Sequence, residues 1–175
     1  HWLKNLLIFL PAVSSQNIFN SLIFFECILA FFAFGFIASS IYLINDIIDI
    51  EKDKLHPYKK LRPLASNKVS KQTIYFLIII LLIFGLTISF YLSINFFLIL
   101  IFYILLNFFY FFYLKNITIL DAFILMFFYL IRVISGHLVN NIEFSIWLIS
   151  FVFFLFLSLS FLKKFTDIIL TDGDS

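Results

Sequence analysis

The chain has 175 residues, of which 63% are hydrophobic and only 13% charged, with a mean hydropathy of +1.11 and a formal net charge of +2. A soluble domain is roughly half apolar and a quarter charged, so this composition excludes an ordinary water-solvated fold. The single cysteine, Cys27, excludes a disulfide framework or a thiolate metal site; no nucleic-acid partner is expected, and the net charge is uninformative as a total, because the distribution of the charges carries the signal. Phenylalanine, at 28 residues, fits either an aromatic-lined lipid groove or an AT-rich genome.

Apolar runs of helical length fall at 3–15, 21–44, 72–92, 96–114, 119–139 and 144–162. Most approach the ~20 residues needed to cross ~30 Å of hydrocarbon, and the first is short. A secretory signal is a poor account of that first run, because Lys4 and Asn5 are followed by Pro11 and then directly by further membrane-length runs. Alternating strands of the outer-membrane type are absent. The expectation is an all-α polytopic membrane bundle of about six transmembrane helices, forming one domain over 1–175.

Basic residues set the predicted orientation. Lys4 precedes the first span; Lys52, Lys54, Lys59, Lys60, Arg62, Lys68 and Lys71 lie between the second and third. Lys115 lies between the fourth and fifth, and Lys163 and Lys164 follow the sixth, whereas the opposite connections at 16–20, 93–95 and 140–143 carry no Lys or Arg. The positive-inside rule then places both ends of this chain, and the polar connections, on the cytoplasmic face of an inner or plasma membrane.

The second connection carries the chemistry. If the second helix continues until Pro57 discourages it, Asn45, Asp49 and Asp53 recur at i, i+4 and i+8 and share one face. They form a ladder of oxygen ligands about 12 Å long at 1.5 Å per residue. Clustered carboxylates repel one another, so a compensating cation is expected. Mg²⁺ suits an all-oxygen set, because it takes one or two protein carboxylates and leaves room for waters and substrate phosphates. Lys59, Lys60 and Arg62 follow closely with donors for phosphate oxygens, although each also reads as an ordinary positive-inside loop charge. No glycine-rich phosphate loop is present, so a diphosphate must be gripped by metal and side chains.

Asn45-Asp46-x-x-Asp49-x-x-x-Asp53 resembles the first aspartate-rich motif of the UbiA superfamily of intramembrane prenyltransferases. Trp2-x-Lys4-Asn5, His56-Pro57-x-Lys59-x-x-Arg62-Pro63 and Arg132-x-x-x-Gly136 are similar to its decaprenyl-phosphate phosphoribosyltransferase branch. The resemblance implies about six helices of a UbiA-like nine-helix fold, the N-terminal two-thirds of it. It implies Mg²⁺-dependent transfer of 5-phosphoribose from phosphoribosyl pyrophosphate to a polyprenyl (decaprenyl) phosphate, making a precursor for cell-envelope polysaccharides. The family usually carries an Arg-Pro pair before the Trp-x-Lys-Asn run and continues for several further helices, and this chain opens at His1, so a fragment or truncated product is expected.

On that resemblance Asn45, Asp49 and Asp53 hold Mg²⁺ against the donor diphosphate, while Lys4, Lys59 and Arg62 neutralise its remaining oxygens. Asp49, Asp53, Lys59 and Arg62 are the expected catalytic set. Lys4, Asn45, Asp46, Lys59, Arg62, Arg132, Lys163, Lys164 and Asp167 are the expected substrate contacts. The lipid phosphate attacks the anomeric carbon from the membrane side, with its chain between the fifth and sixth helices and its head near Lys163 and Lys164. Asp167 stands where the branch more often has Glu, and either binds a second Mg²⁺ or orients the lysines.

Arg132, inside a span, is either functional or tied to a helix-end carbonyl or to Glu26. Asp121 either faces the site or caps its helix. His56 has no second histidine nearby, so no metal role is expected of it; His137 is expected to be inert on the outer side, and the Asn116-x-Thr118 sequon is discounted as cytoplasmic. Two other functions fit parts of the pattern: a UbiA-type transfer of a prenyl group from its diphosphate to an aromatic or polar acceptor, and a non-enzymatic cation carrier. The acids cluster at a helix end and not at the bilayer midplane, which weighs against the carrier.

Overall fold

The computed structural model describes residues 2–55, 59–114 and 118–172, with the side chains of all but 59, 118, 119 and 167–172. Every regular element among them is helical. A short 3-10 helix, Trp2–Phe9, runs into α1 (Leu10–Ser14). Then follow α2 (Ser21–Ile48), α3 (Ile50–Leu55), α4 (Lys71–Leu92), α5 (Ile94–Phe109), α6 (Thr118–Val139) and α7 (Ile146–Asp172). Among the described residues five helices are long and apolar enough to cross a membrane: Ser21–Ile48, Lys71–Leu92, Ile94–Leu114, Leu120–Val139 and Ile146–Thr166.

The first of the six expected spans is the exception, since Trp2–Ser14 is a shorter apolar helix. Pro11 accounts for its change of geometry. Lacking an N–H, it sits in the opening turn of α1, where no donor is needed, and the tighter helix ends just before it.

Polar residues end the long helices. Asn20 accepts from the Leu22 amide at 3.0 Å and opens α2, while Ser70 accepts from the Thr73 amide at 3.1 Å and opens α4. A single extended residue, Ser93, separates α4 from α5. The end of α5 widens into a π-helical turn over Tyr110–Leu114. Ile48 closes α2 earlier than the expected break at Pro57, with Asp49 at φ −89° and ψ 6°, and α3 resumes one residue later. The Asp49 amide still donates to the Asn45 carbonyl at 2.9 Å and the Asp53 amide to the Asp49 carbonyl at 2.8 Å, so the one-turn spacing of the ladder survives the break.

The helix α2 is the centre of the bundle. Its buried Ala30, Ala33, Phe34, Ile37 and Ile41 pack with Phe96, Leu100 and Tyr103 of α5 and with Phe128 and Ile131 of α6. Its most extensive neighbour is α4, admitted by Gly85, where a Cβ would run into Ile37 and the Ala33 carbonyl. Large apolar side chains on the outer faces, such as Phe76, Phe84 and Phe154, are exposed toward lipid.

Candidate active site

Two polar corners form at one end of the bundle. The first is built by the α2/α3 junction and the turn after it. Arg62, just beyond a short turn at Lys59–Leu61, folds back so that one nitrogen, Nη1, lies 2.8 Å from Asp46 Oδ1 and 2.8 Å from Asp53 Oδ2. Asp53 is 4% exposed, and a carboxylate so buried demands a cationic partner. Arg62 is thereby tied to two acids of this segment, while its Nε and Nη2 have no bond to the described residues. Asp49 stands one turn from both Asn45 and Asp53. Among the described residues no three His, Cys, Asp or Glu side chains converge as a ready-made metal cage. Paired oxygens one turn apart fit an ion that takes few protein ligands and completes its shell with water and phosphate, which is the habit of Mg²⁺. His56 and Pro57 lie outside the described residues, as does the side chain of Lys59.

The second corner joins the first helical segment, α6 and α7. Gly136 makes it possible, because a Cβ there would collide with the Ile8 carbonyl; its absence lets the Trp2–Phe9 helix lie against α6. Asn5 is thereby delivered to Arg132, whose Nε donates to Asn5 Oδ1 at 3.0 Å. Arg132 also donates to the Phe128 carbonyl and, at 3.3 Å, to the Tyr103 hydroxyl, and lies over the rings of Phe34 (4.8 Å) and Tyr103 (5.4 Å). Its carbonyl partner, Phe128, lies within α6 and not at a helix end, and among the described residues no bond ties Arg132 to Glu26. Its guanidinium still borders a cavity of about 90 Å³ with Lys4, Tyr42, Tyr103, Asn107 and Tyr129.

Toward the helix ends, Asp121 on the first turn of α6 is 7% exposed and uses both carboxylate oxygens. Lys164 Nζ lies 2.7 Å from Oδ2, and the Tyr110 hydroxyl donates to Oδ1 at 2.8 Å. Asp121 therefore faces the polar interior and not its own helix amides. Lys164 goes to Asp121, and Lys163 lines both the cavity beside that pair and a second one, of about 70 Å³, shared with Lys4, Tyr129 and Ser160. The side chain of Asp167 lies outside the described residues. Asp121 is bonded to the Tyr110 hydroxyl, and Asp49 is near enough for its charge to act on that hydroxyl as well.

The motifs Trp2-x-Lys4-Asn5 and Arg132-x-x-x-Gly136 were legible separately; their contact, 127 residues apart, had no local signal. Tyr42, Tyr103, Asn107, Tyr129 and Ser160 were not singled out, because isolated polar residues in apolar runs read as incidental. His137, expected to be inert on the outer side, is buried, with Nδ1 3.2 Å from the Ile142 carbonyl and its ring against Phe144.

A model of the UbiA prenyltransferase family matches residues 6–170. The chain belongs to the UbiA prenyltransferase family. The decaprenyl-phosphate phosphoribosyltransferase of Mycolicibacterium smegmatis is 34% identical over 175 residues, covering 98% of this chain and 55% of that protein. The nodulation protein NoeC of Azorhizobium caulinodans is 31% identical over 168 residues, covering 96% and 54%. A UbiA homolog from Archaeoglobus fulgidus, solved with DMAPP and Mg²⁺, superposes with a TM-score of 0.72 at 20% identity, over 90% of this chain and 57% of that one. The chain is thus an integral membrane protein of UbiA fold and spans about half the length of these relatives.

Proposed function

We propose that this UbiA-family protein transfers 5-phosphoribose from phosphoribosyl pyrophosphate to a polyprenyl phosphate at the cytoplasmic face of the membrane. The observation that carries the reading is an acid-rich and a lysine-rich corner together: Asn45, Asp49 and Asp53 recur one turn apart, and the charge of Asp49 reaches the Tyr110 hydroxyl, which bonds to Asp121 beside Lys163 and Lys164. Asn45, Asp49 and Asp53 would hold Mg²⁺, which when bound supplies charge neutralisation for a departing diphosphate. Arg62 holds Asp46 and Asp53 together and offers its remaining N–H groups, with Lys59, to diphosphate oxygens. The cavity among Lys4, Tyr42, Tyr103, Asn107 and Arg132 has hydroxyl, amide and cationic walls, which suit a phosphorylated, hydroxylated sugar. A lipid phosphate is already ionised, so no protein nucleophile is needed. The names of two relatives, both decaprenyl-phosphate phosphoribosyltransferases, support the same transferred group and acceptor.

Transfer of a prenyl group is the second reading, favoured by the DMAPP bound in the Archaeoglobus fulgidus homolog. Membranes containing the protein, given labelled phosphoribosyl pyrophosphate or labelled prenyl diphosphate with and without Mg²⁺, separate the two. Label from the first donor is expected in the lipid fraction, lost on chelation, and lowered at least ~100-fold by Asp49→Asn. Label arriving only from the prenyl donor, or near-normal turnover in Asp49→Asn, overturns the proposal.

A further inference from the structure

We infer that Arg62 is an exchangeable counter-ion: it occupies the acid corner in the free protein and yields it to Mg²⁺ only when a diphosphate is present to receive the guanidinium. The inference rests on the metal ladder of the proposed function and adds how that site is gated. It holds whichever group is transferred.

The contact is built to be left. A guanidinium binds an oxyanion best as a planar fork, with two N–H groups on two oxygens of one partner. Arg62 makes no such fork. Its Nη1 alone is shared between Asp46 Oδ1 and Asp53 Oδ2, each at 2.8 Å, while Nε and Nη2 have no bond to the described residues. It serves there as a point charge between two acids, a role that needs none of the features peculiar to arginine. The side chain is 40% exposed, so it has room to swing outward. The backbone beneath it is fixed: the Ser66 amide donates to the Arg62 carbonyl at 2.9 Å, and buried Leu64 packs with Ile50 of α3 and with Ile74 and Ile78 of α4. The exchange is therefore a side-chain rotation on an anchored turn.

Charge balance makes the exchange conditional. The charges of Asp49 and Asp53 both reach Asp46, so the corner needs a cation at all times. Asp53 belongs to the ladder and to Arg62 at once, and two cations on one carboxylate repel each other. Arg62 in place thus opposes a bare divalent ion. A diphosphate without metal is opposed as well, because drawing Arg62 away strands Asp53, a buried carboxylate, without its partner. With both ligands present, Arg62 turns its fork to phosphate oxygens and the acids keep a cation. Two ligands that are each weak alone and tight together are coupled, and the coupling is reciprocal.

The test uses Mn²⁺ as the metal and inorganic pyrophosphate as the diphosphate, so no transfer takes place. The protein in zwitterionic nanodiscs is titrated with Mn²⁺, with and without pyrophosphate, and free Mn²⁺ is read by electron paramagnetic resonance against protein-free controls. Without pyrophosphate, Arg62→Gln is expected to bind Mn²⁺ about tenfold more tightly than wild type, and the factor by which pyrophosphate tightens Mn²⁺ should shrink about tenfold. A residue that merely braced the acids would weaken Mn²⁺ binding when replaced, and one that merely touched phosphate would leave it unchanged; either result overturns the exchange. Asp53→Asn gives a second reading that does not depend on the single Arg62 variant folding. In EDTA it should bind pyrophosphate about fivefold more tightly than wild type by calorimetry, and adding Arg62→Gln should remove the gain. No gain, or a gain that survives in the double variant, also overturns the exchange. Mn²⁺ binding that ignores Asp49→Asn removes the ladder itself, whereas binding that needs Asp49 yet ignores Arg62→Gln removes only the exchange. If phosphoribosyl transfer fails while both titrations hold, the proposed donor falls and the exchange remains.

Discussion

The two polar corners are built with opposite charge ratios. In one, a single guanidinium nitrogen serves two carboxylates, Asp46 and Asp53. In the other, a single carboxylate, Asp121, serves one of three neighbouring lysines. An acid-rich corner has affinity for a hard cation, and a lysine-rich corner for an anion. Under the proposed function, that contrast would let one substrate be held through metal and the other directly.

The largest test of that contrast is Gly136→Ala. A Cβ at 136 has no room beside the Ile8 carbonyl, and the first helical segment must move away with Lys4 and Asn5. A loss of about 3 kcal/mol is expected, in the upper range for overpacking, seen as a lower thermal midpoint in nanodiscs. The acid corner has no contact with Gly136, so an equal loss of Mg²⁺ affinity in this variant would break the claim that the corners are separate.

Arg62→Leu should cost about 2 kcal/mol, less than a fully buried pair, because Arg62 is 40% exposed while its partner Asp53 is 6% exposed at the side chain. Adding Asp53→Asn should recover much of that loss, as the orphaned charge is then gone. Thermal unfolding of the single and double variants measures it, and strictly additive losses would show that the guanidinium is not the partner on which Asp53 relies.

The smallest effect belongs to Asp121 and Lys164. A double-mutant cycle with Asp121→Asn and Lys164→Met should give a coupling of about 1 kcal/mol for this partly buried pair. A coupling of zero, read by thermal unfolding, would remove Lys164 as the partner on which Asp121 relies.

The sequence foretold the helices of this bundle closely and their contacts poorly. The expected run 72–92 is the observed Lys71–Leu92, and 119–139 is Thr118–Val139, because hydropathy is a local property that lipid enforces directly. The spacing of Asn45, Asp49 and Asp53 was equally readable, since one-turn periodicity needs no tertiary information. The break at Asp49 and the π-helical turn at Tyr110–Leu114 have no comparable signature. The ties of Arg62 to two aspartates, of Lys164 to Asp121 and of Arg132 to Asn5 span 9 to 127 residues. Such pairs follow from how helices pack, and a single sequence states which charges exist without stating which of them meet.

One feature of α6 bears on size. Asp121, Leu125, Tyr129 and Arg132 recur along a single face and border each polar cavity in turn. A helix rises 1.5 Å per residue, so these rungs measure out about 16 Å from first to last. No rung can be shortened without rebuilding the rod that carries it. The helix is therefore a ruler, and any molecule that touches both its acidic foot and its buried guanidinium must be of matching length.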